Sequence, residues 1–308
     1  MDNNILNITN LSHKYASDWA VKDVSFSIGN SGILGLLGGN GAGKSTIMNI
    51  MCGILNHTEG EVTINGYDIR KEPIKAKSQI GFLPQKAPLY HDLTVDEYLT
   101  HCAHLRLINP KEIPTAVEEA KEKTGITHFS NRLIKNLSGG YQQRTGIAGA
   151  IIHNPKLVVF DEPTNGLDPI QILEVRKIIK DISKDRAVIF SSHILSEIQA
   201  VCKEIIMVNL GKMVFSGSTE DFNNYIEPSS ILVSLGNPPA LDELEQIKGI
   251  TAVEQVSNEQ IRVTFNTDKS ITETLVKASV KNGWQLKEIN VERSSLDDVF
   301  AKITQDNS

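Results

Sequence analysis

The chain of 308 residues lacks any long apolar run, any closely spaced pair of cysteines and any excess of positive charge. A membrane-spanning helix needs about 18 or more consecutive apolar residues, so we expect none here. The three cysteines, Cys52, Cys102 and Cys202, lie far apart, which excludes a disulfide framework and a cysteine-rich zinc site. The formal net charge of −6 argues against a nucleic-acid-binding protein, because such proteins usually present a basic surface.

The N-terminal residues, 1–5, contain neither a basic region nor a long apolar segment. We therefore expect no signal peptide and a cytosolic location. The length predicts about two domains of ordinary globular composition. If the chain acts at a membrane, another chain must supply the membrane-spanning part.

One glycine-rich stretch lies between apolar runs at 33–37 and 47–51. Its residues are Gly38, Gly39, Asn40, Gly41, Ala42, Gly43, Lys44, Ser45 and Thr46. A glycine-rich loop between a strand and a helix is typical of phosphate binding, because glycines let backbone N–H groups turn toward the anion. In such a loop Lys44 reaches the β- and γ-phosphates, and the Ser45 hydroxyl binds Mg²⁺. The alternative is a glycine-rich turn that carries a lysine by chance.

A second apolar run, 157–160, is followed by two adjacent carboxylates, Asp161 and Glu162. Such a continuous run predicts a strand that is buried on both faces. Carboxylates at its end are costly to bury unless they are paired or bound to a metal. Asp161 suits the surroundings of Mg²⁺, and Glu162 suits a base that polarises an attacking water. The alternative is a carboxylate that caps a helix in a surface loop.

Gln85 and His193 also follow predicted strands, at 80–84 and 187–190. We expect both at the carboxyl edge of the sheet, where α/β proteins bind ligands. Gln85 either binds Mg²⁺ or orients a water, or it is a solvated loop residue. His193 either acts at the site or is a capping or core residue.

Two further positions point to a nucleotide. Ser138, Gly139 and Gly140 mark a second helix start that suits an anion, with a plain helix cap as the alternative. Tyr15 lies in a predicted polar link between strands at 5–8 and 24–28. It either stacks on an adenine ring or packs against the protein.

In this order the motifs resemble those of the ATPase subunit of ABC transporters, over about residues 4–220. The motifs are Walker A at 38–46, the glutamine Gln85, the signature at 137–142, Walker B at 157–162, the D-loop at 165–168 and the switch histidine His193. The resemblance implies an α/β P-loop domain at 1–225 with an antiparallel β subdomain and a helical subdomain at about 86–150. It also places Tyr15 at the adenine-stacking position.

The resemblance implies ATP and Mg²⁺ as cofactors and a head-to-tail dimer in which each ATP lies between one Walker A and the other subunit's Ser138, Gly139 and Gly140. The residues implied for catalysis are Lys44, Glu162 and His193, and those for Mg²⁺ are Ser45, Gln85 and Asp161. Two residues depart from the family pattern. Gly39 replaces the usual proline, and Tyr141 stands where the short signature ends in glutamine.

Beyond Pro228 a different pattern predicts β-α-β-β-α-β, the order of a small ferredoxin-like α+β domain at 226–308. A final predicted helix carries Leu296, Val299, Phe300 and Ile303 on one apolar stripe. This stripe either packs on its own sheet or serves dimer contact or regulation. The segment 295–300 is similar to the C-terminal segment of ATPases that serve ABC-2-type exporters.

The leading hypothesis is therefore the ATPase subunit of an exporter, peripheral on the inner face of the cell membrane. It would act as a homodimer or heterodimer on a separate ABC-2-type permease, and it would have no nucleic-acid partner. A helical insertion at about 86–136 would receive the cytoplasmic helices of the permease. The alternative is a soluble ABC ATPase that acts on ribosomes or DNA, although such proteins usually carry two cassettes or a long coiled coil. A switch without turnover is disfavoured by Asp161, Glu162 and His193.

Overall fold

The structure is a computed structural model, and it describes residues 4–224, 228–266 and 270–293. The chain divides into two compact units, Met1–Thr219 and Glu220–Ser308. This division lies a few residues before the boundary predicted from the sequence.

The first unit combines two sheets with a set of helices. Its strands and helices are β1 (Leu6–Tyr15), β2 (Asp18–Ile28), β3 (Gly32–Leu37), α1 (Lys44–Met51), β4 (Glu59–Ile64), β5 (Tyr67–Asp68), α2 (Pro73–Ser78), β6 (Ile80–Leu83), α3 (Val95–Leu105), α4 (Ile113–Thr124), α5 (Gly139–Ile151), β7 (Leu157–Asp161), α6 (Pro169–Ile182), β8 (Ala187–Ser192), α7 (Leu195–Val201), β9 (Glu204–Asn209) and β10 (Lys212–Ser218). The remaining elements are α8 (Thr219–Asn224), β11 (Pro228–Leu235), α9 (Leu241–Glu245), β12 (Ile250–Gln255), β13 (Gln260–Phe265), α10 (Ile271–Asn282) and β14 (Leu286–Arg293).

A six-stranded sheet in the order β10-β9-β3-β8-β7-β6 forms the centre of the first unit. Strands β6, β7, β8, β3 and β9 are parallel, and β10 pairs with β9 in the antiparallel sense. Every residue of β7 and β8 is buried, as their continuous apolar runs predict. Leu37 is paired with Ser192, and Asp161 with Ser191. The ends of β3, β7 and β8 therefore meet at one edge.

A second, antiparallel sheet has the order β2-β1-β4-β5. Its apolar residues and those of the six-stranded sheet form one core. The predicted polar link at 13–15 is wrong, because β1 continues through Tyr15. His13 pairs with Val21 and Tyr15 with Asp18, after shifts in the β1–β2 register. These shifts break the apolar–polar alternation, and so the sequence pattern did not predict a strand there.

The helices α3, α4 and α5 form a helical subdomain with its own core. Helix α3 begins with a capping box between Thr94 and Glu97. Ser138 occupies the N-cap position of α5, as expected of a helix start, but its side chain makes no capping hydrogen bond, so the alternative of a plain side-chain cap is not supported. In the described part of the chain, none of the helices has the length and apolar character needed to cross a membrane.

The second unit contains an antiparallel sheet in the order β12-β13-β11-β14. Buried side chains from the sheet and its helices form a separate core that includes Val233, Val263, Leu275 and Trp284. Trp284 precedes β14 and packs its ring into this core. The predicted final apolar stripe lies outside the described residues.

Candidate nucleotide-binding site

The loop between β3 and α1 requires glycine at two positions. A Cβ atom at Gly38 would lie 2.5 Å from the carbonyl oxygen of Val208, and one at Gly43 would lie 2.9 Å from that of Ala20. Gly43 also has a φ of +107°, in the left-handed region. At Gly39, in contrast, no atom lies within 4 Å of an added Cβ. Packing therefore does not explain why glycine replaces the family's proline there.

Lys44 lies buried at the start of α1 and faces this loop. Its Nζ donates to the carbonyl oxygens of Gly38, at 2.7 Å, and Gly39, at 3.1 Å. The same ammonium lies 3.7 Å from Glu162 Oε1. Burial lowers the pKa of Lys44, and the charges of Glu162 and Asp161 oppose this effect. The site thus holds a cation at the floor of the loop.

Asp161 ends β7 beside two hydroxyl groups. Ser45 Oγ donates to Asp161 Oδ2 at 3.2 Å, and Ser191 Oγ donates to Asp161 Oδ1 at 2.8 Å. Burial raises the pKa of Asp161, while the hydrogen bonds from Ser191 and Ser45 lower it. Carboxylate and hydroxyl oxygens are the hard ligands that Mg²⁺ prefers.

Glu162 follows Asp161 with a φ of +47°, an unusual conformation for a residue with a side chain. Its buried carboxylate has neighbours at both oxygens. Oε1 lies 3.0 Å from His193 Nδ1, on the side that faces Lys44. Oε2 accepts from Gln85 Nε2 at 3.0 Å and from Asn165 Nδ2 at 3.5 Å. Four side chains from separate segments therefore set the position of this carboxylate.

Lys44, Asp161 and Glu162 line a pocket of about 430 Å³. Its lining residues are Tyr15, Ala20, Gly39, Asn40, Gly41, Ala42, Gly43, Lys44, Ser45, Thr46, Gln85, Asp161 and Glu162. Tyr15 is 52% exposed, and its ring meets the edge of His13 with 4.7 Å between centroids. A larger cleft, of about 700 Å³, involves none of these residues and lies where Gln79 faces the helical subdomain.

The signature residues lie elsewhere. Ser138 and Gly139 are exposed, and Ser138 and Gly140 line a separate hollow of about 220 Å³ that also includes Asp168 and Gln171. Within one chain, the structure does not bring 138–140 to the Walker A pocket.

Tyr141 lines that hollow and also packs into the helical subdomain. Its ring packs against Phe129, with 4.5 Å between centroids, and the guanidinium carbon of Arg144 lies 5.0 Å from its ring centroid. The unusual tyrosine of the signature is therefore a packing residue of the helical subdomain.

The sequence patterns did not point to several polar residues around the site. Ser191 bridges Asp161 and Glu162, since its Oγ also accepts from the Glu162 N–H at 2.9 Å. Glu197 accepts hydrogen bonds from Thr164 and Ser192. Two serines at the end of β8, with a glutamate one helical turn after His193, were the available signal.

A parallel sheet, a glycine-rich loop that begins a helix after one strand, and two carboxylates at the end of a second strand, separated from the first by one strand, define a P-loop nucleoside triphosphatase. The ABC transporter family model matches residues 21–165. The chain belongs to the family of ABC transporter ATP-binding proteins.

Several curated relatives match nearly the whole chain. The bacitracin transport ATP-binding protein BcrA of Bacillus licheniformis is 32% identical over 305 residues, covering 97% of this chain and 97% of BcrA. The linearmycin resistance ATP-binding protein LnrL of Bacillus subtilis (strain 168) is 29% identical over 306 residues, covering 97% of this chain and 98% of LnrL.

A solved structure is also similar. It is the dimeric ATP-binding cassette MJ0796 in a post-hydrolysis state with ADP and Pi, with a TM-score of 0.63 and 25% sequence identity. The match covers 69% of this chain and 98% of that one. The predicted family and activity are confirmed: the chain is the ATP-binding, ATP-hydrolysing subunit of an ABC exporter. ABC ATPases dimerise and pair with membrane permease subunits.

Proposed function

We propose that the pocket binds ATP with Mg²⁺ and that Glu162 polarises the water that attacks the γ-phosphate. The observation that carries this proposal is the buried Glu162 carboxylate, which His193, Lys44, Gln85 and Asn165 contact at the pocket that also includes the Walker A loop. Proton abstraction requires a base in a fixed position, and these contacts supply it.

The loop residues 38–46 surround the phosphates with backbone N–H groups, and the positive end of α1 adds to the attraction. Lys44 places its charge on the β- and γ-phosphate oxygens. Tyr15, half-exposed at the pocket, stacks on the adenine. His193 contacts the γ-phosphate from the end of β8.

Ser45, Gln85 and Asp161 would hold the Mg²⁺ ion. Their side chains fit this role, because a hydroxyl, an amide oxygen and a carboxylate are all hard oxygen donors that line one pocket. When bound, the metal neutralises charge on the transferring phosphoryl group. Asp161, which Ser45 and Ser191 already orient, contributes the charge that attracts the ion.

Two chains pair head to tail around ATP, with Ser138, Gly139 and Gly140 of one subunit on the γ-phosphate held by the other. The exposure of Ser138 and Gly139, remote from their own Walker A pocket, supports this arrangement. Sedimentation of the Glu162→Gln chain tests it, since ATP should convert monomers to dimers. A chain that stays monomeric at saturating ATP would contradict the arrangement.

The chain works at the inner face of the membrane on a separate ABC-2-type permease. The cleft of about 700 Å³ between Gln79 and the helical subdomain suits a cytoplasmic helix of that partner. Leu107, which lines this cleft, is 86% exposed and is therefore available for an apolar contact with that partner.

A pull-down of the tagged Glu162→Gln chain from its own cells, in mild detergent with ATP, tests the partner. We expect one polytopic membrane protein in near-equal amount, and its loss when Leu107→Asp is added. If ribosomal or DNA-bound proteins came down instead, the chain would serve a soluble machine.

The cargo is a toxic antibiotic-type compound. This proposal rests on the full-length similarity to a bacitracin transport protein and a linearmycin resistance protein. Deletion of the gene should lower the inhibitory concentration of one such compound, and the wild-type gene, but not Glu162→Gln, should restore it. Unchanged susceptibility to every compound of this class would contradict the proposal.

The C-terminal unit has the ferredoxin-like fold. Its element order, β11-α9-β12-β13-α10-β14, and the central position of β11 and β13 in the sheet support this assignment. Amide NMR contacts between β11 and both β13 and β14 are the expected result. The unit serves dimer contact or regulation, and its removal should change dimerisation or the rate of hydrolysis.

A further inference from the structure

Besides Asp161 and Glu162, a third buried carboxylate lies behind the site. Glu197, in the first turn of α7, is 7% exposed. Its Oε1 accepts from Thr164 Oγ1 at 2.9 Å, and its Oε2 accepts from Ser192 Oγ at 2.7 Å. Arg176 Nη2 lies 3.8 Å from Oε1. A buried carboxylate is costly without such partners, so each of these contacts is needed to keep it in place.

The two hydroxyl donors belong to the segments that hold Glu162. Thr164 immediately precedes Asn165, whose amide donates to Glu162 Oε2 at 3.5 Å. Ser192 immediately precedes His193, whose Nδ1 lies 3.0 Å from Glu162 Oε1. Glu197 thus connects, through one hydrogen bond each, the two segments that contact opposite oxygens of Glu162.

The helix that carries Glu197 is fixed to the core. Ile198, the next residue, is fully buried, and a Cβ atom at Gly35 in β3 would lie 2.6 Å from its Cγ2 atom. The helix therefore lies directly on the strand that leads into the Walker A loop. Glu197 transmits this fixed position to the loops that follow β7 and β8.

We propose that Glu197 is a positioning residue for hydrolysis, which aligns Glu162 by fixing the loops that carry Asn165 and His193. The proposal rests on the role proposed above for Glu162. Glu197 does not line the nucleotide pocket, so its loss should leave ATP affinity nearly unchanged. It should lower the rate of the chemical step, because a displacement of about 1 Å at a reacting group can cost about 100-fold.

Steady-state ATPase assays of the full chain with Glu197→Gln and Thr164→Val test this proposal. Each change removes a hydrogen bond with little change in side-chain size. We expect kcat to fall by about tenfold or more while KM stays within about twofold. Thr164→Ser keeps the hydroxyl and should recover most of the turnover. Glu204→Gln, at an exposed glutamate of β9, is the matched control for loss of a negative charge.

Two results would overturn the proposal. One is an unchanged kcat in the folded Thr164→Val chain, a variant that is informative even if Glu197→Gln does not fold. The other is a parallel loss of kcat and ATP affinity together with a lower melting temperature, which is the result expected of a residue that only stabilises the fold.

Single-turnover hydrolysis in the Glu162→Gln background separates the two proposals. If Glu197 acts through Glu162, Glu197→Gln should lower the residual rate by less than about twofold, because groups that act as a unit are not additive. An equal factor in both backgrounds would contradict the role of Glu197 and leave that of Glu162 intact. Near-normal turnover in Glu162→Gln alone would instead contradict the proposed function.

Discussion

The two surfaces that we propose to bind nucleotide differ strongly within one chain. On the Walker side, the charged groups Lys44, Asp161 and Glu162 are buried, and each contacts a partner in the same chain. On the signature side, Ser138 and Gly139 are exposed, and the Ser138 side chain makes no capping bond. The side chains of the Walker side are therefore already held in place without ATP. On the signature side, Ser138 and Gly139 remain accessible to another molecule. In the proposed head-to-tail dimer, ATP affinity therefore depends on the first surface, and hydrolysis depends on a second subunit that supplies the other.

Glu162→Gln, on the Walker side, should produce the largest effect, a loss of the rate of hydrolysis. Removing a general base costs about 10²- to 10⁴-fold in rate, whereas the contacts of Lys44 with the loop remain. We expect ATP binding close to that of the unchanged chain and hydrolysis near background, measured by nucleotide titration and phosphate release. Near-normal turnover would show that the held carboxylate is not the base.

Gly139→Asp tests whether the signature side contributes to hydrolysis. No atom lies within 4 Å of a Cβ at this position, so the fold should tolerate the change, but it places a negative charge where the partner's phosphate would lie. We expect turnover to fall by about 10- to 100-fold with unchanged ATP binding to the monomer. Gly29→Asp is the matched control, since Gly29 is equally open and exposed. A full rate in Gly139→Asp would remove the distinction between the two surfaces.

Tyr141→Gln tests whether packing of the Tyr141 ring stabilises the signature side. The change restores the family's usual residue but removes the contacts of the ring with Phe129 and Arg144. We expect the free energy of unfolding to fall by about 1–2 kcal/mol, measured by urea denaturation. Tyr141→Phe keeps the ring and should show a smaller loss. Equal losses in the two variants would argue that packing of the ring does not stabilise this surface.

His153, just beyond the C-terminal end of α5, should affect stability alone, through its dependence on pH. Burial, with a contribution from Arg106, lowers the pKa of His153 to about 4 from an ordinary 6.5. Between these values the unfolded chain binds the extra proton, so stability rises with pH across this window. The contribution is at most about 1.4 kcal/mol per pH unit.

Urea denaturation at about pH 5 and about pH 7 measures this contribution. His153→Gln, which can still donate to the Ile80 carbonyl but does not titrate, should show a weaker dependence on pH. An unchanged dependence in that variant would show that other groups carry it.

Much of the core could be predicted, because its strands are continuous apolar runs that end at motif residues. That logic placed Asp161, Glu162 and His193 at one edge, where the structure brings them together. Contacts that depend on register or on distant loops left no local pattern. The extension of β1 to Tyr15 follows register shifts, and the contacts of Glu197 arise only when α7 packs on β3.

The left-handed conformation of Glu162 has a consequence for evolution. A residue with a side chain at a φ of +47° costs about 1–3 kcal/mol relative to an ordinary conformation, and glycine would largely avoid that cost. Glycine would also remove a carboxylate that is costly to bury. Selection for heat resistance and selection for turnover therefore favour different residues at this position. A laboratory screen for thermal stability alone should recover chains that have lost this glutamate and, with it, the ability to hydrolyse ATP.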